Sequence, residues 1–161
     1  MKKCVFCSEE ILNNQFYESE NFRVIYNIAP ILPGHSLIVP KHHYISFLEL
    51  NSELRHELID LAQICVEEFK SLFNAEGFDL TIQDGECAGQ TVMHLHLHMI
   101  PRKTLDLPRP GDWYPKMREN FPYHEGVENF SRELIEEESM VAIIKSLRKH
   151  FSEVNNGSGL I

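Results

Sequence analysis

The sequence contains little cysteine, no long apolar run and no excess of positive charge. Four cysteines in 161 residues are too few for a disulfide scaffold, so we expect reduced thiols or metal ligands. No stretch approaches the about 20 apolar residues of a membrane-spanning helix. Acidic Glu9 and Glu10 follow the basic start, where a secretion signal would continue with an apolar core. We therefore expect a cytoplasmic protein with no membrane partner.

The size and charge of the chain restrict its class further. Hydrophobic residues make up 43% of the sequence and charged residues 24%, which is typical of a soluble globular protein. A net charge of −9 argues against nonspecific binding to nucleic acid. We expect one domain, in which residues 1–130 include a long loop over 102–129. Residues 131–161 are expected to add a helix over roughly 131–150, capped by Ser131, and a frayed tail.

The remaining pattern predicts an α+β fold. Apolar residues recur at spacings of three and four from Leu54 to Leu72, which predicts one long helix. Asn51 or Ser52 caps this helix, and Gly77 is its expected terminator. Short apolar or alternating runs predict a five-stranded, mainly antiparallel sheet. The predicted strands are residues 15–19, 22–26, 36–39, 78–83 and 92–100.

The most informative feature is a run of alternating histidines, His94-Leu95-His96-Leu97-His98. Successive side chains of a strand point to opposite faces, so the three histidines are expected to share one face at intervals of about 6.6–6.8 Å. Leu95 and Leu97 would then face the core. A buried imidazole needs a hydrogen-bond partner or a ligand, so three on one face indicate a functional site.

Two kinds of chemistry are compatible with this run. The histidines can ligate a catalytic metal ion, or one neutral imidazole can attack an electrophilic phosphorus while the others assist. The preceding residues favour the second reading. Gly85 and Gly89 offer backbone N–H groups, Gln90 an amide and Thr91 a hydroxyl, all of which can hold phosphate oxygens.

Residues 83–103 resemble the histidine triad (HIT) family, whose pattern is His-x-His-x-His followed by two apolar residues. Asn27 and the block Pro-Gly-His-Ser-Leu-Ile-Val-Pro at 33–40 are similar to the family's other recognisable segment. The similarity covers about residues 4–103 and is greatest to the fragile histidine triad branch, the dinucleoside polyphosphate hydrolases. It implies a HIT-like fold and a homodimer in which two sheets join edge to edge.

The resemblance also implies a role for each matching residue. His96 would attack the α-phosphate and form a nucleotidyl-histidine intermediate that water hydrolyses, while its other ring nitrogen donates to the carbonyl of His94. His98 would contact the α-phosphate or the leaving oxygen and help to protonate the leaving group. His35 would support the same pocket. The implied substrate-binding residues are Asn27, Gln83, Gly89, Gln90 and Thr91.

Cys4 and Cys7 form a Cys-x-x-Cys pair, and structural zinc needs four Cys or His donors. Many bacterial family members resemble this chain in such a pair, in a histidine just after Pro-Lys and in the first triad histidine, which together hold zinc. The resemblance therefore implies zinc at Cys4, Cys7, His43 and His94, which leaves the chemistry to His96 and His98. No organic cofactor is expected.

The expected substrate is a nucleotide, preferably diadenosine tri- or tetraphosphate. Gln83 favours this hydrolase over the related phosphoramidase branch, which tends to carry Asn at the matching position. His98 argues against the transferase branch, which has Gln in its place. Three alternatives stay open at this point. They are an adenosine 5'-phosphoramidate hydrolase, a nucleotide-binding sensor with little turnover, and a metallohydrolase that uses all three histidines.

Overall fold

The structure, a computed structural model, describes residues 4–118 and 133–157. One antiparallel sheet in the order β1-β2-β3-β5-β4 is formed by β1 Gln15–Glu18, β2 Phe22–Tyr26, β3 Ser36–Pro40, β4 Gly77–Ile82 and β5 Leu97–Arg102. The helices are α1 Ser52–Leu72, α2 Trp113–Arg118 and α3 Glu137–Gly157. The predicted α+β class, with its five-stranded sheet, long helix and C-terminal helix, is confirmed.

The sheet has two apolar faces with different coverings. Side chains on one face, such as Ile38 and Met99, pack with α1 and α3 in the main core. On the opposite face, Leu37 packs against Phe6 of the N-terminal segment, while Ile100 packs against α2. His98 is paired with Leu37 in the β3–β5 register, so the two side chains share this second face. The candidate site therefore lies opposite α1, on the face that the N-terminal segment and α2 cover.

Helix α1 begins as predicted but ends earlier. The Asn51 side chain accepts a hydrogen bond from the Leu54 backbone N–H at 2.9 Å, so Asn51 rather than Ser52 is the cap. The helix stops at Leu72, and Gly77 is the first residue of β4 instead of the helix terminator. Asn74 takes the left-handed conformation, with φ 49°, that commonly follows a helix end and that Asn tolerates better than most residues.

The prediction for the last strand is wrong at both ends, since β5 starts at Leu97 and continues through Pro101 to Arg102. The Arg102 carbonyl accepts from the Glu76 N–H and so points toward β4. Because backbone groups alternate in direction, the Pro101 nitrogen points away from β4, beyond the last β3–β5 pair at Met99. The missing N–H of Pro101 therefore breaks no ladder hydrogen bond. For β3, Pro40 is its last residue and not the residue after it.

The predicted loop 102–129 is partly regular structure. Arg102 pairs with Asp79 at 2.5 Å and with Asp106 at 2.8 Å and donates to the Pro110 carbonyl, which ties the start of this segment to the sheet. The short helix α2 follows. Residues 119–132, including the predicted cap Ser131, lie outside the described residues.

The C-terminal helix α3 begins at Glu137, later than predicted, and includes residues 155–157 of the expected frayed tail. Its first-turn residues Glu137 and Glu138 suit the positive end of the helix dipole. Within residues 4–118 and 133–157, no helix has the length and apolar character to cross a membrane.

Candidate active site and metal centre

The segment that carries the first two triad histidines is irregular. The His94 N–H donates to the Val92 carbonyl, and the Leu95 N–H donates to the Tyr44 carbonyl, both at 2.7 Å. These bonds replace the strand ladder that the alternation predicts, so of the three histidines only His98 lies within β5. Leu95 still enters the main core, where it is fully buried.

Four side chains predicted to bind metal come together at the start of this segment. The ligand atoms of Cys4, Cys7, His43 and His94 all lie within 4.8 Å of one another. The Cys4 and Cys7 sulfurs are 3.4 and 3.5 Å from His94 Nδ1, and the Cys7 sulfur is 3.2 Å from His43 Nδ1. A tetrahedral zinc ion with ordinary bond lengths separates sulfur and nitrogen ligands by about 3.6 Å, so the donor spacing fits such an ion.

The protonation of His94 also suits a ligand. Its Nε2 lies 3.0 Å from the Pro40 carbonyl, and a carbonyl only accepts, so Nε2 carries the proton and Nδ1 directs its lone pair at the sulfurs. Burial lowers the pKa of His94 to about 4 against the raising effect of that hydrogen bond. The ring is therefore neutral at pH 7, as a metal ligand must be.

His96 is buried beside this cluster with one ring nitrogen fixed. Its Nδ1 lies 2.8 Å from the His94 carbonyl, as predicted, so Nδ1 donates and Nε2 keeps a lone pair. Burial lowers the pKa of His96, although the hydrogen bond to that carbonyl opposes the effect. The result is a neutral imidazole whose Nε2 has the electronic state of a nucleophile.

A chain of hydrogen bonds sets the tautomer of His98. The Ile31 backbone N–H donates to Nδ1 of the fully buried His35 at 3.2 Å, which leaves the proton on His35 Nε2. That nitrogen is 3.0 Å from His98 Nδ1, which must then accept. His98 therefore carries its own proton on Nε2, where it can form a hydrogen bond to a bound group. Asn27 lies beside this chain, with its amide nitrogen 3.4 Å from His35 Nε2.

The glycine loop brings two of the predicted substrate-binding residues, Gly89 and Gln83, against each other. The Gln83 side-chain nitrogen is buried, and among the described residues it has no hydrogen-bond partner. Gly89 adopts φ +96°, and a Cβ there would lie 2.9 Å from that nitrogen. This close approach of the loop to Gln83 thus requires glycine at position 89.

Gln90 has a structural role that its sequence context does not indicate. Its side-chain oxygen accepts from the Gly85 N–H at 2.7 Å, and its nitrogen donates to the Ile45 carbonyl at 2.8 Å. Both polar ends therefore hold the loop, while the predicted contact of Gln90 with phosphate stays a prediction. Thr91 is exposed at the end of the loop.

Two further contributors were missed from the sequence. Asp84 accepts from the Ser46 hydroxyl at 2.9 Å and from the Phe47 N–H at 3.0 Å, which anchors the glycine loop. Phe6 places its ring against both His94 and His96. Its position between the two cysteines was the one available signal, because both cysteine sulfurs lie beside His94 and so place the residues between them.

The antiparallel sheet, the buried histidines on one face and the adjoining glycine loop together define the class of histidine triad proteins. The HIT domain family matches residues 8–105, and the chain belongs to this family.

Named relatives and solved structures agree with this assignment. The chain is 38% identical over 122 residues to a bis(5'-adenosyl)-triphosphatase of Dictyostelium discoideum, which covers 74% of this chain and 81% of the relative. It is 30% identical over 119 residues to an asymmetrical bis(5'-nucleosyl)-tetraphosphatase of Schizosaccharomyces pombe, covering 74% and 65%. A Zn-bound histidine triad family protein from Mycobacterium smegmatis superposes with a TM-score of 0.68 at 27% identity, covering 97% and 98%.

Proposed function

We propose that this protein is a hydrolase of dinucleoside polyphosphates, with diadenosine tri- or tetraphosphate as the preferred substrate. The observation that carries the proposal is the pair formed by His96 and His98, whose ring centroids are 4.9 Å apart. His96 offers a lone pair at Nε2, and His98 offers an N–H group at Nε2. The triphosphatase and tetraphosphatase names of the two relatives support the same substrate class.

In the first step, His96 Nε2 attacks the α-phosphorus, and the bond from phosphorus to the bridging oxygen breaks. The His94 carbonyl, which accepts from Nδ1, stabilises the imidazolium that forms. The His98 Nε2–H donates a hydrogen bond to the departing phosphate oxygen, which leaves as an anion, and the buried His35 keeps His98 in the required tautomer. Water then attacks phosphorus, gives up one proton to the solvent, breaks the bond from phosphorus to nitrogen and releases the nucleoside monophosphate with neutral His96.

Gln83 and the glycine loop hold the nucleotide. The buried Gln83 amide nitrogen is a donor suited to a ribose hydroxyl or to a second phosphate oxygen, and Asn27 lies beside His35. The Gly89 and Gln90 N–H groups donate to the Glu86 and Gly85 carbonyls, so these two residues shape the loop that receives the α-phosphate. Thr91 is exposed at the end of this loop and donates its hydroxyl to the α-phosphate. These contacts stabilise the negative charge that develops on the phosphate oxygens during attack.

Gly89→Ala is expected to raise KM for diadenosine triphosphate about tenfold, because the new Cβ displaces the Gln83 amide and strains a left-handed residue. Steady-state kinetics with matched glycine variants measure the effect. Gly85 also has positive φ but no atom within 4 Å of a Cβ, so Gly85→Ala reports strain alone. Gly111→Ala has neither feature and serves as the control. An unchanged KM in Gly89→Ala would remove Gln83 from the binding site.

Cys4, Cys7, His43 and His94 hold a structural zinc ion. Their donor spacing and the neutral state of His94 fit zinc, and the similar protein from Mycobacterium smegmatis is described as Zn-bound. When bound, zinc supplies a cross-link between segments of the chain. The cysteines anchor the N-terminal segment, while the backbone carbonyl of His94 serves the adjoining nucleophile.

The protein forms a homodimer through the outer edge of β4. No strand pairs with this edge among the described residues, and Leu80 at its centre is half exposed. The opposite edge, β1, packs against α3, whose Arg148 donates to the Gln15 carbonyl. An exposed edge strand promotes pairing with another chain, so β4 is the edge suited to a second copy.

Leu80→Lys is therefore expected to convert the dimer to a monomer, because it places like charges opposite each other across the paired edge. Light scattering on a sizing column measures the change. Val141→Lys adds the same charge at an exposed position of α3, which packs at the other edge of the sheet. A monomeric wild-type protein, or a Leu80→Lys variant that stays dimeric, would contradict this interface.

A further inference from the structure

The segment between Cys4 and Cys7 also carries Phe6, whose aromatic ring contacts two of the triad histidines. Phe6 is buried to 8% exposure, and its ring centroid is 5.3 Å from that of His96 with an interplanar angle of 62°. The same ring contacts His94 at 5.7 Å and 88°. Both arrangements are edge-to-face contacts, which aromatic rings prefer over face-to-face stacking.

One hydrogen bond does not by itself fix the orientation of the His96 ring. The Nδ1 contact with the His94 carbonyl selects the tautomer of His96 but leaves the ring able to rock about that bond. His98 contacts one part of the His96 ring, and Phe6 contacts it as well. Phe6 cannot easily give way, since it packs against Ile25, Leu37 and Val39 of the sheet.

We propose that Phe6 is a positioning residue that holds the His96 imidazole in the orientation for attack, and that Cys4 and Cys7 hold Phe6 in place when they bind metal. This inference rests on the proposed function, since it assigns His96 as the nucleophile. It gives the N-terminal pair a role in the chemical step that acts through packing. The four-residue metal cluster thus influences the His96 ring through two contacts. The His94 carbonyl accepts a hydrogen bond from its Nδ1, and the Phe6 ring packs against it.

Phe6→Ala is expected to lower kcat for diadenosine triphosphate about 10- to 100-fold while KM changes less than about threefold, because misplacement of a reacting group costs rate rather than binding. Phe6→Leu, which fills apolar volume without a flat ring, is expected to lower kcat at least about fivefold. Phe16→Ala is the matched control, since Phe16 is a buried phenylalanine of the main core and lies outside the cluster around Phe6. It is expected to lose stability comparably and to keep kcat near the wild-type value.

Two measurements separate this role from simple packing. Zinc content per chain establishes that the variants keep the metal, and side-chain nitrogen NMR of His96 reports its tautomer and its mobility without any substrate. We expect a single His96 state with the proton on Nδ1 in the wild type and in Phe16→Ala, and exchange-broadened or mixed states in Phe6→Ala.

Equal losses of kcat in Phe6→Ala and Phe16→Ala would overturn the inference, and so would a wild-type kcat in zinc-loaded Phe6→Leu. An unchanged His96 spectrum in Phe6→Ala would overturn it as well. If the wild type failed to hydrolyse dinucleotides, the proposed function would fall. The NMR comparison would then still decide whether Phe6 orders the His96 ring.

Discussion

His96→Ala is expected to lower kcat/KM for diadenosine triphosphate by at least about 10⁴-fold, because the reaction then loses its nucleophile and with it the covalent intermediate. The loss should appear in AMP release, followed by chromatography, while the melting temperature changes little. His98→Ala should retain more activity, with a loss of about 10²- to 10⁴-fold, since His98 supplies a hydrogen bond to the leaving oxygen rather than the attacking atom. Wild-type protein quenched during turnover should carry one nucleotidyl group, which His96→Ala lacks.

The same assay separates the competing substrate classes. Diadenosine triphosphate, diadenosine tetraphosphate and an AMP phosphoramidate are compared side by side. Turnover of the phosphoramidate alone would leave His96 as nucleophile but move the substrate to a P–N bond. Tight binding with a rate far below about 1 s⁻¹ for all three would indicate a nucleotide sensor. Full hydrolysis by His96→Ala would contradict the mechanism itself.

Removal of zinc is expected to lower the melting temperature by about 8–16 °C. A ligand present at about 1,000 times its dissociation constant adds about 4 kcal/mol to the free energy of unfolding. A domain of this length loses about 2–4 °C of melting temperature per kcal/mol. A strong chelator or Cys7→Ser should both produce this shift, because Cys7 contributes one of the four donors. Differential scanning calorimetry and metal analysis measure it.

Cys87→Ser is the matched control for that experiment. Cys87 is an exposed free cysteine outside the four-donor cluster, so its loss should leave both the zinc content and the melting temperature unchanged. Below its melting temperature, chelated protein should still hydrolyse substrate at a reduced rate. A three-histidine metallohydrolase would instead lose all activity on chelation. Wild-type protein without zinc, or a melting temperature indifferent to chelation, would contradict the structural site.

The local parts of the fold were predictable where a short pattern meets no competing tertiary contact. The strand Phe22–Tyr26 matches its predicted bounds, and Asn51 caps the long helix as its side chain permits. The last strand was misjudged, because the Leu95 N–H bonds the Tyr44 carbonyl in place of a sheet neighbour. The alternation of residue types within a strand cannot reveal a hydrogen-bond partner that lies so far away along the chain.

In the candidate site, too, some features follow from short sequence patterns and others depend on contacts between distant segments. The clustering of Cys4, Cys7, His43 and His94 could be predicted, since the Cys-x-x-Cys spacing and the resemblance to the family both point to these four positions. The structural use of Gln90 could not, because it depends on the Ile45 carbonyl far along the chain. The contact of Phe6 with His96 likewise joins two segments that are 90 residues apart along the chain.

The sequence alone determined which chemical groups are available: three spaced histidines, a glycine loop and four metal donors. The tertiary structure decided the state in which each group is held. His35 and His98 are 63 residues apart, yet their contact sets where the His98 proton lies. The Pro40 carbonyl likewise sets which ring nitrogen of His94 carries the proton. An imidazole takes its tautomer from whatever its two nitrogens meet, and in this fold most of those partners come from distant segments.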